Sequence, residues 1–287
     1  MRSRSRRIKR TRRTRRRQRG GSTALTYTPQ APSPIKVFTS ADKMKPTLQA
    51  LLASLKKHHY AYEVLGMGKP WGGFRTKMEN YLEGIRAVQD QDSILIFVDA
   101  YDMLCIKDAD LMLKAYKARE SKAPIVVGVE IYCFYKENCD IRCLEWFDHH
   151  KKKGGSEEIK KGFVRPDWRD FYEAPEPVFL NSGFIMGPAR VLAKMFEKMM
   201  TYEDKDDQIA LIHYMLEHKD EFDLDYKEKF IRVKAKIRER YGDEDGKKGP
   251  GFVHFPGTRT ADEQEISLKK YMRPYFMDPP PATPTKN

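Results

Sequence analysis

Long apolar runs are missing from this 287-residue chain. No stretch approaches the roughly 18 consecutive apolar residues that a membrane-crossing helix needs. The N-terminus runs Arg after Arg to position 19 where a secretory leader would place an apolar segment, so no leader is expected and the chain reads as cytoplasmic or nuclear. Cysteine is scarce. Cys105, Cys133, Cys139 and Cys143 fit no paired C-x-x-C spacing, which disfavours a structural zinc site and leaves free thiols as the first expectation, with a local disulfide among the last three as the alternative. No G-x-G-x-x-G follows the first expected strand and no G-x-x-x-x-G-K-[ST] occurs anywhere, which disfavours a dinucleotide Rossmann domain and a P-loop. Acid is absent from residues 1–20, which hold eleven Arg and one Lys. The formal charge of +13 therefore belongs to that segment, because the remainder carries 42 basic against 41 acidic side chains.

What remains is the composition of one globular body with tails. Hydrophobic residues make up 40% of the chain, with 15 Phe and 15 Tyr, enough to bury a large core. Residues 1–34 run Arg-rich and then Pro/Ser/Thr-rich and read as a disordered arm. Positions 2–19 would pair with phosphates if a nucleic acid or another polyanion were a partner. Residues 35–276 form the expected folded domain and residues 277–287 a Pro-rich tail. Within the domain, a strand at residues 35–39, a helix opened by Pro46 and a second strand over residues 60–65 make a βαβ start, which predicts an α/β fold with a mostly parallel, Rossmann-like sheet. A Gly-rich loop with Trp71 leads to a helix expected from Lys77. Residues 132–176 read as a lid or acceptor-binding insertion, and residues 220–248 as solvated structure with no assigned chemistry.

The run Ile94-Leu95-Ile96-Phe97-Val98-Asp99-Ala100-Tyr101-Asp102 organises the rest. Its apolar half reads as a strand buried on both faces, and two carboxylates arrive where it ends. Ligands of open α/β sheets bind beyond the carboxyl ends of strands, so Asp99 and Asp102 are candidate ligands of a hard divalent cation, Mg²⁺ or Mn²⁺. One capping acid beside one solvated acid would give the same string. Further on, Asn181-Ser182-Gly183 interrupts an apolar strand, which marks either a bulge or a ligand contact. Asp206 and Asp207 head a helix, where acids favour the dipole. His254 ends a short strand; alone, such a histidine is more often structural.

Taken together and in order, these motifs resemble the glycosyltransferase domain of procollagen lysyl hydroxylases. The series is Val37-Phe38-Thr39, Val64-Leu65-Gly66-Met67-Gly68-x-x-Trp71, Phe97-Val98-Asp99-Ala100-Tyr101-Asp102, Leu180-Asn181-Ser182-Gly183, Asp206-Asp207-Gln208 and Val253-His254-x-x-Gly257. The resemblance implies a GT-A fold and a UDP-sugar donor, UDP-galactose or UDP-glucose. It also implies Mn²⁺, with Mg²⁺ as the alternative, held by Asp99, Asp102 and His254. Val37, Thr39, Trp71, Lys77, Ala100 and Tyr101 would meet the nucleotide, with Asp99 reaching it through the metal, and Gly257 and Arg259 the diphosphate. Asn181, Ser182, Gly183 and Gln208 would face sugar and acceptor, and Asp206 or Asp207 would act as the catalytic carboxylate, whether the reaction inverts or retains configuration. The acceptor would be a glycan or the hydroxylysine of a collagen-like protein. The chain departs from the family at Phe74-Arg75-Thr76, where relatives carry glycines, and after His254. No hydroxylase domain is expected within this length, and a viral or microbial source would suit a chain without a leader. The competing readings are a nucleic-acid-binding protein using the Arg-rich arm, and a sugar-nucleotide-binding body without catalysis.

Overall fold

The structure, a computed structural model, describes residues 25–29, 33–134, 171–173, 179–203, 206–233 and 249–256. Its main sheet contains β1 (Leu25–Tyr27), β2 (Ile35–Ser40), β3 (Ala61–Leu65), β4 (Ile94–Val98), β6 (Ile125–Glu130), β9 (Phe179–Pro188) and β10 (Phe222–Leu224), in the order β1-β3-β2-β4-β9-β6-β10. Pairing is parallel for β2–β3, β2–β4 and β6–β10, and antiparallel for β1–β3, β4–β9 and β6–β9. Five of the seven strands thus point one way, the mostly parallel α/β architecture that the sequence predicts. A second sheet joins β5 (Met103–Cys105), β12 (Phe252–His254) and β11 (Ile231–Val233), and β7 (Tyr132–Phe134) pairs with β8 (Phe171–Glu173).

Alternation builds two cores from one sheet. In β4, Leu95 and Phe97 join the core under α2 (Phe74–Arg86), α4 (Ala189–Met199) and α5 (Asp207–Glu217), while Ile96 and Val98 join the other, under α1 (Pro46–Lys57) and α3 (Ala109–Lys117). Phe38, Phe97, Tyr81 and Phe196 stack within the first core, and Leu48, Leu51 and Leu55 of α1 fill the second. Pro46 opens α1, where its missing N–H costs nothing.

Three details differ from the sequence reading. Residues Leu25–Tyr27, assigned there to the arm, form an edge strand on β3. α2 begins at Phe74, three residues earlier than expected, after Gly73 at φ 93°. A side chain rarely adopts such a φ, so the glycine is what allows the chain to turn into the helix. Finally, the segment from 220 onward is not merely solvated: β10 extends the main sheet and Ile231 is buried in the second core.

Asp225 links β10 to the small sheet. Its buried carboxylate accepts from the backbone N–H groups of Lys229 (2.8 Å), Phe230 (2.7 Å) and Ile231 (2.9 Å), fixing the turn into β11. Burial pushes its carboxyl up to about 6 even though those three donors oppose the shift. Asp225→Ala would leave the donors without their acceptor, so urea unfolding is expected to show a loss of about 2–4 kcal/mol. A change below about 0.5 kcal/mol would remove Asp225 from the structural account of β11.

Candidate metal centre

Asp99 follows β4 directly, and Asp102 precedes β5, so both acids come from one turn at the carboxyl end of the central strand. His254 arrives by pairing. β12 runs antiparallel to β5 with His254 opposite Met103, and the Phe255 N–H donates to the Asp102 carbonyl at 2.8 Å. His254 Nε2 then lies 3.3 Å from Asp102 Oδ2 and 3.6 Å from Asp99 Oδ2. One ligand atom from each of the three falls within 4.8 Å of the others.

The imidazole is held from its other side. Asn181 Oδ1 accepts the Gly183 N–H at 2.9 Å and lies 3.0 Å from His254 Nδ1, while Asn181 Nδ2 donates to Glu130 Oε1 at 2.9 Å. With the amide oriented in this way, Nδ1 carries the proton and Nε2 presents a lone pair. That Nε2 is buried and makes no hydrogen bond. A buried imidazole nitrogen facing two carboxylate oxygens matches the donor set that a divalent cation takes, and a carbonyl-type acceptor on Nδ1–H is how metal-binding histidines are oriented. Burial works against protonating His254, but Asp102 and then Asp99 outweigh it and hold the imidazole above its ordinary range.

Gly183 explains why the strand tolerates Asn-Ser-Gly. A methyl group on Gly183 would stand 2.4 Å from His254 Cε1, so the ring packs where a side chain would be. The register of β9 against β6 breaks here: Val127 faces Ile185, but Gly128 faces Asn181. Such a bulge re-aims side chains, and here it turns Asn181 towards both His254 and Glu130. Of the two readings of this motif, the bulge is present, and Asn181 supports the site through it.

Glu130, at the end of β6, is a residue that the sequence reading missed. It is 1% exposed; Oε1 accepts from Asn181 and, at 3.3 Å, from Gln208 Nε2, while Oε2 is buried with no hydrogen bond. Burial drives its carboxyl up to about 7, against the lowering effect of Asn181 and His254. Gln208 also accepts the Ser182 N–H at 3.2 Å.

The adjacent acids of α5 separate in role. Asp206 is the N-cap, its Oδ1 accepting from the Gln208 N–H (2.9 Å) and the Ile209 N–H (3.2 Å). Asp207 is buried, and its Oδ2 accepts from Lys77 Nζ at 2.6 Å; the same ammonium donates to Asp99 Oδ1 at 2.5 Å. Burial raises the Asp207 carboxyl, and Lys77 only partly reverses this; for Asp99 the burial effect is overcome by Lys77 and then His254, which hold it below the usual carboxylate range.

The nucleotide-side candidates are more scattered. Val37 lies in the core, and Thr39 is buried with its hydroxyl donating to the Val98 carbonyl at 2.9 Å. Ala100 is buried beside Asp99, and Tyr101 places its hydroxyl 2.9 Å from Asp42 Oδ1. Trp71 is 46% exposed and meets Phe74 edge-on at 6.2 Å. Gly257 and Arg259 lie outside the described residues. Among the described residues no helix is long and apolar enough to cross a membrane.

Because the ring and a Gly183 substituent compete for one volume, Gly183→Ala is expected to displace His254. Mn²⁺ affinity should fall by about tenfold or more while far-UV circular dichroism stays unchanged. Unaltered affinity would contradict this placement of the imidazole.

Comparison with known proteins bears on these residues. Residues 31–141 match the family model described as the PLOD GT domain. The chain is 27% identical over 216 residues to the Multifunctional procollagen lysine hydroxylase and glycosyltransferase of Caenorhabditis elegans, covering 70% of this chain and 24% of that protein. It is 22% identical over 227 residues to the Multifunctional procollagen lysine hydroxylase and glycosyltransferase LH3 of Rattus norvegicus, covering 71% and 25%. The chain therefore spans about a quarter of the length of these relatives. Among solved structures, a glycosyltransferase involved in the glycosylation of the major capsid of PBCV-1 aligns with a TM-score of 0.45 at 9% identity, covering 81% of this chain and 98% of that one. The stretch that carries Asp99 and Asp102 thus falls inside a match to the glycosyltransferase domain of the procollagen lysine hydroxylases, which is the family that this chain resembles.

Proposed function

We propose that this protein is a divalent-metal-dependent glycosyltransferase of the GT-A type, moving galactose or glucose from a UDP-sugar to a hydroxyl of a glycan or a collagen-like protein. The observation that carries the reading is the buried His254 Nε2, which makes no hydrogen bond and faces the oxygens of Asp99 and Asp102. Two carboxylates and one imidazole suit Mn²⁺ better than Mg²⁺, which prefers an all-oxygen shell. When bound, the ion would supply Lewis-acid stabilisation for a departing diphosphate.

The chain's own residues divide the remaining tasks. Asp99, Asp102 and His254 would hold the ion, with Asn181 and Gly183 fixing the ring. Trp71, exposed beside Phe74, offers a flat face to a base, and Tyr101, Ala100 and Thr39 stand near the strand ends that would border the nucleoside, while Val37, paired mid-strand with Tyr62 and Ile96, is assigned there by the resemblance alone. The resemblance assigns Gly257 and Arg259 to the diphosphate. Ser182 and Gln208, joined by the Ser182 N–H donating to Gln208 Oε1, would face the acceptor, as the resemblance implies. For proton transfer from the acceptor hydroxyl, Asp206 is engaged in its cap and Asp207 in its ion pair. Glu130 has an oxygen to spare and titrates near neutrality, which favours it as the general base.

Mn²⁺ and a panel of UDP-sugars, with UDP release as the signal, test the activity. UDP-galactose or UDP-glucose is expected to turn over, and Asp99→Ala, with its fold intact, to abolish metal-dependent release. Wild-type-like turnover by that variant in metal-cleaned buffer would refute the assignment.

The Glu130 role predicts a pH profile. A base must be ionised, so turnover should rise with pH through a limb at or below about 7, because a bound cation would draw that carboxyl lower. Glu130→Gln should lower kcat by on the order of 10²-fold and erase the limb; a retained limb would assign it to another group.

A further inference from the structure

Lys77 is buried in the candidate centre, yet its hydrogen bonds go to carboxylates on both sides. It is the fourth residue of α2, so the helix fixes its direction across the sheet onto the end of β4 and the start of α5. Asp99 gives Oδ1 to this ammonium, and the oxygen it turns to His254 Nε2 is the other one, Oδ2.

We propose that Lys77 is a positioning residue that competes with the divalent cation for Asp99 and holds Asp207 outside that ion's coordination sphere. The inference rests on the metal-centre reading above. An ammonium and a dication sharing one carboxylate repel each other, and in a partly buried site that repulsion is weakly screened, so the lysine lowers metal affinity. Without it, Asp99 and Asp207 would be two acids with no shared counter-charge, and either would be drawn to a cation. Lys77 therefore keeps the carboxylates assembled before the ion arrives and leaves Asp99 one oxygen with which to meet it. An ammonium that served only the fold would behave differently: its removal would loosen the site and weaken metal binding.

The test is titration of Mn²⁺ alone into the full chain, with free ion read by electron paramagnetic resonance. Lys77→Met is expected to bind Mn²⁺ at least about tenfold tighter, although its thermal midpoint in chelator falls. Lys77→Arg, which keeps the charge, should remain within about threefold of wild type. Asp207→Asn should bind more weakly, because the ammonium then leans on Asp99 alone, and this weakening should shrink in the Lys77→Met background. If Lys77→Met does not fold, the double variant with Asp207→Asn buries neither charge and is compared with Asp207→Asn: tighter binding supports the proposal, and equal or weaker binding overturns it. Equal or weaker Mn²⁺ binding by Lys77→Met than by wild type overturns the competition while leaving the metal centre standing. Absence of Mn²⁺ binding by the wild type overturns both.

Discussion

Negative charge gathered at one end of the sheet is the constraint from which the rest of the site follows. Asp99, Asp102, Glu130 and Asp207 converge there, and Lys77 is the ammonium that bonds two of them. Acids do not share a partly buried site without compensation, and each uncompensated one either protonates or recruits a cation. Both responses are visible. Glu130 and Asp207 sit above the ordinary carboxylate range, with burial as the largest cause and Lys77 only partly offsetting it at Asp207, while Asp99 sits below it because Lys77 and His254 together outweigh burial. The single amide of Asn181 then connects the halves, donating to Glu130 and accepting beside the imidazole, so the candidate metal ligand and the buried carboxyl share one link.

Much of this was legible in the sequence, and the gaps have physical causes. The strand ending in Asp99 announced itself because a buried apolar run seldom stops at a carboxylate unless that acid caps a helix or meets a ligand. Glu130 carries the same signal, at the end of the apolar residues 126–129, and went unread because it stands alone and not in a spaced pair. His254 drew its meaning from the resemblance alone: what makes it a candidate ligand is the pairing of β12 with β5, and nothing near it in sequence encodes that partner. The adjacent Asp206 and Asp207 could not be told apart by position. Neighbouring residues at a helix start point in different directions, so one caps and the other turns inward.

Strand direction was similarly hidden. A run buried on both faces has the same pattern whether it runs with or against its neighbours, so nothing in Phe179–Pro188 revealed that β9 is antiparallel inside a mostly parallel sheet. The reversal matters to the site. It brings residues 181–183 to the same end as Asp99, where the Asp99 N–H donates to the Gly183 carbonyl at 3.1 Å. The polar interruption that looks costly in a strand is thus the part of β9 that borders the candidate metal centre, and the Asn181 amide and the Gly183 N–H are engaged there.

The early start of α2 bears on how a donor would be received. In the family that this chain resembles, glycines precede the nucleotide lysine; here Phe74-Arg75-Thr76 form the first helical turn, and Arg75 ties it to the Met200 carbonyl at the end of α4. A lysine on a pinned helix, bonded to two acids, has little freedom to swing towards a phosphate. The diphosphate of a UDP-sugar would bring further negative charge to a centre already rich in it, and Lys77 is committed elsewhere. In the proposed function that charge must therefore be met mainly by the bound ion, with Arg259 as the basic residue that the resemblance offers in support. Under that proposal, metal dependence is the electrostatic expectation: without a dication, donor and carboxylates would repel each other, and donor affinity would fall along with the rate.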